Sequence, residues 1–290
     1  MQPASRAALA AAQERLESRI GGAVGESGAV GESGAVGESV APVAEGDRVS
    51  DDLGAVAVVL GEQPVIRRYL ADFAAPEQIR RKMIEALFGG KVSPISLEIL
   101  GDVVASRWSR PLDLVDAVEE LVWQALLSMA ERDNSLDDVE DELFRFARIL
   151  VGQPRLATLL GDESAPTAGR LDLLDTVLAD RTAPVTRRLL AQAVRAPRRR
   201  PLEEIVEELV DRAAARRERS VAYVTAAGPL SEQQEQRLVD VLNRIYRRPI
   251  SLKVDLDPTL LGGLVIRVGD EVIDGSLAAR LGQARQWMAR

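Results

Sequence analysis

The sequence predicts a mainly α-helical chain in which an N-terminal helical bundle region, built on a duplicated helical unit, precedes a small C-terminal α/β module with a β-hairpin. Three observations predict it. From Leu53 onward the chain repeats at a constant offset of 90 residues, so that Pro64, Pro76, Pro94 and Pro111 recur as Pro154, Pro166, Pro184 and Pro201. Between these prolines, apolar residues return at helical spacing. After about Arg219 the period falls to two, with Val221, Tyr223 and Thr225 alternating as in a half-buried strand, and a glycine-punctuated hairpin comes next.

The elements are justified in chain order. Ser5 is placed as the N-cap of a first helix over 1–20, in which Leu9, Ala12, Leu16 and Ile20 share a face, and Gly21-Gly22 ends it. A hexapeptide, Gly-Ala-Val-Gly-Glu-Ser, then occurs three times in tandem from Gly22 to Ser39, and a mixed Pro, Gly and Asp stretch runs on to Asp51. Such glycine density cannot hold a helix and the valines are too few to offset chain entropy, so 21–50 reads as a flexible linker.

Proline fixes φ and lacks an N–H, which suits helix starts and turns, so four matched prolines mean four matched helix boundaries. Helices are expected over 51–61, 64–72, 76–88 and 94–107, with equivalents 90 residues on. Leu53, Val56 and Leu60 match Leu143, Phe146 and Leu150, while Leu70, Asp72, Ala75 and Arg80 match Leu160, Asp162, Ala165 and Arg170. A longer amphipathic helix from Leu112 to Arg132 bridges the copies, its stripe made of Val115, Val118, Val122, Ala125, Leu126 and Met129. Ser135 and Asp138 resemble a capping box at the next helix start, and Leu202, Ile205, Leu209 and Ala213 mark the closing helix. The first copy is assigned to 51–111 and the second to 112–219. In the α/β module, 220–290, Ser231 with Gln234 caps a helix to Tyr246, and Ile250, Leu252 and Val254 form a second strand. Gly262 and Gly263 suit positive φ or close backbone approach, Val265 to Val268 a strand, Gly269-Asp270 a turn, and Gly275-Ser276 the opening of a last helix.

Composition narrows function. The chain has 290 residues and 46% hydrophobic content, enough for one or two substantial cores. It has no cysteine and no histidine, so the common thiolate, imidazole and zinc chemistries are missing, and Lys82, Lys91 and Lys253 are its lysines. No metal or other cofactor is expected. A formal charge of −8 and few aromatics argue against nucleic acid. The basic run Arg195, Arg198, Arg199 and Arg200 reads as solvated loop charge. The amino terminus lacks an apolar signal core and no run is long enough to span a bilayer, so the chain is expected in the cytoplasm unless a partner holds it to a membrane.

The string from Asp257 to Ser276, with Gly262, Gly263, Gly269, Asp274, Gly275 and Ser276 as its structural signature, resembles the C-terminal end of the delta subunit family of F-type ATP synthases, also called the oligomycin-sensitivity-conferring protein. Pro229-Leu230-Ser231 and Arg248-Pro249-Ile250 resemble the family's lead-in, and Arg107-Trp108-Ser109 and Val139 to Phe146 its longer, duplicated actinobacterial version. The hexapeptide insert departs from the family, and alanine at Ala7 and Ala8 replaces a usual tyrosine, which leaves open how the first helix packs.

The resemblance implies a stator subunit that performs no chemistry. Its helical domain is expected to grip amino-terminal helices of the alpha subunits and its C-terminal module the end of the b-type stalk. It should be peripheral to the cell membrane on the cytoplasmic side, reaching the membrane only through the complex. Helix-in-groove recognition then points to a groove between the helices 112–132 and 201–217, lined by Val118, Val122, Ala125, Met129, Ile205 and Leu209. A helical-repeat adaptor of another complex would use the same stripes. An enzyme would have to rest on Asp257, Asp270, Asp274 and Arg267, which more naturally cap turns and strand ends.

Overall fold

The computed structural model describes residues 1–22, 42–179, 181–198, 200–246, 249–257, 260, 262–269 and 271–277. Its helices are α1 (Pro3–Gly22), α2 (Pro42–Glu62), α3 (Pro64–Ala71), α4 (Glu77–Phe88), α5 (Pro94–Ala105), α6 (Pro111–Arg132), α7 (Leu136–Gly152), α8 (Pro154–Gly161), α9 (Thr167–Leu178), α10 (Pro184–Arg195) and α11 (Leu202–Ser220). The C-terminal module comprises β1 (Val221–Ala226), α12 (Glu232–Tyr246), β2 (Ser251–Leu256), β3 (Leu264–Val268) and β4 (Glu271–Asp274). The chain is thus mainly helical with a small α/β module.

The duplication is visible in packing as well as in prolines. Pro64, Pro94 and Pro111 open α3, α5 and α6 at the first turn, as Pro154 and Pro184 open α8 and α10. The same caps recur. Asp52 Oδ2 accepts from the Ser93 N–H at 2.7 Å and from Ser96 Oγ at 2.8 Å; Glu142 Oε2 accepts from the Ala183 N–H at 2.9 Å and from Thr186 Oγ1 at 2.6 Å. In each copy a carboxylate on the first helix satisfies orphan donors at the start of the fourth. Arg80 and Arg170, both buried, donate to the Val104 and Val194 carbonyls at the end of that fourth helix.

Three expectations need correcting. The linker does not extend to residue 50, because α2 begins at Pro42. Val49, Leu53, Val56 and Leu60 form one buried face, and Gly46 lies where a Cβ would stand 3.2 Å from Met129 Cγ. A glycine that reads as a helix breaker in isolation here admits α6. The repeat residues 23–41 lie outside the described residues. Next, α6 belongs to the first copy rather than the second: it packs along α2 as α11 packs along α7, and Pro111 corresponds to Pro201. Finally, Ser5 is not an N-cap and Ser135 makes no capping bond to its helix. Ser5 is buried in the first turn of α1, where its hydroxyl donates to Asp113 Oδ2 at 2.7 Å, while Ser135 Oγ donates back to the Ala130 carbonyl.

The module's sheet has the order β2-β1-β3-β4, with β1 parallel to β2 and antiparallel to β3, and β3 antiparallel to β4. The parallel pair needs a crossover, which α12 supplies. Here the capping box forms: the Ser231 N–H donates to Gln234 Oε1 at 2.9 Å and the Gln234 N–H to Ser231 Oγ at 3.4 Å. Ala222, Val224, Leu242, Ile250, Ile266 and Val268 form a second core, separate from that of the helices. Val221 comes directly after Ser220, so α11 runs into β1 without a linker. The last helix expected from Ser276 falls mostly outside the described residues.

Candidate partner-binding surface

Helices α1, α6 and α11 run side by side in the same direction. Ser5, Gln13 and Glu17 of α1 meet Asp113, Glu120 and Gln124 of α6 in succession, and Arg212, Arg216 and Ser220 of α11 meet Glu120, Ser128 and Glu131. The first helix therefore packs on the bundle despite its alanines, burying Ala8, Ala12, Leu16 and Ile20. With α1 on one flank and α10 and α11 on the other, α6 is buried almost continuously from Asp113 to Glu131.

That burial overturns the predicted groove. Val118, Val122, Ala125, Met129, Ile205 and Leu209 are brought together, but inside the chain, with at most 6% of any one exposed. A helix that is apolar around most of its circumference buries its stripe against its own neighbours. The partner face must lie elsewhere.

Above α6, between α1 and α11, lies a cleft of about 390 Å³. Its floor is Glu120, Trp123, Gln124 and Leu127; Ala10, Gln13, Glu14 and Glu17 form one wall, and Arg212, Ala215, Arg216 and Arg219 the other. The Arg212 guanidinium lies 5.0 Å from the centre of the Trp123 ring, and Arg212 also pairs with Glu120. Arg216 binds Glu131 at 2.7 Å and bridges to Glu17 at 3.3 Å, tying the two walls at one end. The Trp123 indole N–H, on a residue 5% exposed, finds no acceptor among the described residues. Small residues on opposite walls, Ala10 and Ala215, leave room between these charges. Sequence reading missed them because alanine carries no chemical signal, although a run of alanines facing long charged residues is how two helix walls leave a space.

Two carboxylates of α6 are strained electrostatically. Glu119 pairs with Arg198 yet has one buried oxygen without a hydrogen bond among the described residues, and burial pushes its carboxyl up to about 7 against the pull of Arg198. Burial raises Glu120 as well, opposed by Arg212. Arg198, in a left-handed turn at φ +48°, also binds Asp116 at 2.5 Å, and Arg200 binds Glu208 at 2.9 Å. The basic run is therefore not solvated loop charge where it is described: these two arginines are tied to α6 and α11.

In the C-terminal module the signature residues clasp one another. Gly262 and Gly263 have φ of +139° and +85°; a Cβ on Gly263 would stand 2.4 Å from the Gly275 carbonyl oxygen, and one on Gly262 2.7 Å from Leu277 Cδ1. The Leu277 N–H donates to the Gly262 carbonyl and the Gly275 N–H to the Leu264 carbonyl, both at 2.9 Å. Asp274 Oδ1 accepts from the buried Ser276 N–H at 2.9 Å, and its bonds to Ser276 hold the carboxyl below its ordinary range. Gly269, at φ +58°, turns β3 into β4. This geometry closes the base of the hairpin. Arg267 stacks at 5.1 Å on Tyr223, and the Asp257 N–H ends β2 by donating to the Ala226 carbonyl at 2.9 Å. Asp270 lies outside the described residues.

Comparison with known proteins adds a family. The family model described as ATP synthase delta (OSCP) subunit matches residues 124–288. The chain is similar to the ATP synthase subunit delta of Parafrankia sp., with 43% identity over 290 residues, covering 100% of both chains. It is also similar to the subunit delta of Frankia alni, 46% identical over 85% of this chain and 89% of that one. It is 46% identical to the ATP synthase subunit b-delta of a Mycobacterium sp. over 81% of its own length, and spans 53% of that longer protein.

Proposed function

Because the chain belongs to the ATP synthase delta (OSCP) subunit family, we propose that it is a non-catalytic stator subunit of a proton-translocating ATP synthase, holding the catalytic head against rotation so that proton flow drives ATP synthesis. The observation that carries this is similarity along the whole chain, 43% over all 290 residues, to a protein named as the delta subunit. The residue types support it: without histidine or cysteine, a binding part is a more natural use of this chain than an enzyme. No helix among the described residues is long and apolar enough to cross a membrane, which suits a peripheral subunit held on the cytoplasmic side through its complex.

On this reading the cleft over α6 receives an amino-terminal helix of an alpha subunit, and the C-terminal module binds the end of the b-type stalk. The cleft suits a helix because it lies along three parallel helices, with the exposed alanines Ala10 and Ala215 on its two walls allowing close approach of a partner backbone. Ala10→Trp or Ala215→Trp fills the space at a site where the native alanine is exposed, so the fold should hold. Binding of the tagged chain to the purified alpha-beta hexamer should weaken at least about ten-fold, near 1.4 kcal/mol. Unchanged hexamer binding by both variants, with unchanged melting, would remove the cleft from the reading. Failure of the wild-type chain to copurify with the synthase from solubilised membranes would remove the stator role itself.

A further inference from the structure

In the first copy, two side chains of α10, from the second copy, engage the outer face of α2. Arg188 of α10 pairs with Asp47, binds Asp51 at 2.8 Å and donates to Ser50 Oγ at 2.8 Å. One turn on, Gln192 lies over Gly54 so closely that a Cβ there would stand 2.8 Å from its Oε1. An arginine engages the acidic start of the helix, and a residue four positions later lies against its middle.

The 90-residue correspondence carries this face of α2 onto α7, where Asp47, Asp51 and Gly54 become Asp137, Asp141 and Phe144. After α11 the chain enters the sheet rather than a third copy, so among the described residues no second α10 reaches this face. The face is open: the Asp137 and Asp141 side chains are 81% and 72% exposed, and Phe144 and Val151, two turns apart on one stripe, are 55% and 60% exposed. Asp137 lies 3.6 Å from Arg217 and Asp141 3.4 Å from Arg145, but such exposed pairs are worth under about 1 kcal/mol and yield to a better-placed cation. The one change of shape is informative. Where Gly54 lets Gln192 descend, Phe144 projects a ring, so a helix on α7 must offer a small residue at the point where α10 has glutamine.

We propose that this face of α7 docks a helix of a neighbouring subunit, running parallel to α7, with an arginine set against Asp137 and Asp141 and a small residue one turn further on against Phe144. The copy within the chain supplies the template, and the acidic start of α7 supplies the charge complement. The proposal rests on the stator reading only in taking the neighbour from the same complex.

The test places a photo-crosslinking phenylalanine analogue at position 144 of the tagged full-length chain, purified in its complex from membranes. The expected adduct lies on a helical segment of another subunit, with an arginine about one turn before the crosslinked residue. Reversing charge with Asp137→Arg and Asp141→Arg together should lower the adduct yield at least about ten-fold without changing melting, and mutating the partner's arginine to aspartate should restore it. A complex that copurifies normally but gives no adduct overturns the proposal. So does an adduct on a second copy of this chain, or a yield indifferent to the charge reversal. If the chain does not copurify with the synthase, the stator reading fails instead, and the same crosslink is read by the same criteria in intact cells.

Discussion

Replacing Glu119 with glutamine should make the protein more stable in mild alkali and leave it nearly unchanged in mild acid. In the folded chain this carboxyl is 4% exposed, pairs with Arg198, leaves one oxygen unsatisfied and titrates near 7, against 4.5 for the unfolded chain. The folded state therefore holds the proton more tightly than the unfolded state does. The stability contributed by this site is fully present below 4.5 and is lost as pH rises through about 7. At about 1.4 kcal/mol per pH unit, the span from 4.5 to about 7 corresponds to an upper limit of about 3.5 kcal/mol. Glutamine keeps an acceptor for Arg198, places an amide N–H₂ where the orphan oxygen stood, and cannot ionise. Urea unfolding followed by far-UV circular dichroism, for both proteins between about pH 5 and pH 8, gives the comparison. The wild type should lose roughly 1–3 kcal/mol more than the variant across that range. Parallel pH profiles, or a variant less stable than the wild type at the alkaline end, would refute the reasoning, because either result means that the ionised carboxylate is well solvated or well paired.

Burial and backbone geometry dictate two further outcomes. Ala125→Asp places a charge at a position with no exposed surface, so the isolated chain should lose several kcal/mol and melt far below the wild type in a thermal scan; a variant that melts normally would put this face of α6 back at the surface. Gly263→Ala forces a Cβ to within 2.4 Å of the Gly275 carbonyl at φ +85°, so limited proteolysis should cut within the C-terminal module while the helical region stays protected, and an unchanged digestion pattern would show that the clasp relaxes freely.

Much of the architecture was legible because proline and period are local signals. Pro94 and Pro184 start helices for the same backbone reason wherever they stand, and the change from helical spacing to alternation at Val221 marks the sheet without reference to anything distant. The partner surface was not legible in this way. Val118, Val122 and Ala125 form a stripe that must be covered, but a stripe does not say whether its cover belongs to the same chain. The charges beside it carry no local sign of their burial either: Glu119, Glu120 and Glu131 are paired by Arg198, Arg212 and Arg216, which arrive from about 80 to 90 positions away. Gly46 failed for the same reason, since its helix is stabilised by Met129 of α6 rather than by its own propensity.

The position of α6 has a mechanical corollary. It closes the first copy against α2 and at the same time serves the second copy, lying on α10 and α11 much as α1 lies on α5 and α6. A cut made along the duplication must strip one copy of a wall, so neither half is expected to fold as a free-standing piece, and gene fragments designed on the repeat boundary should give aggregating chains. A load applied to either copy passes through a single continuous rod of 22 residues that packs against both. Two ancestral units have in this sense become one beam, whose stiffness is set by the side chains wedged around its middle helix.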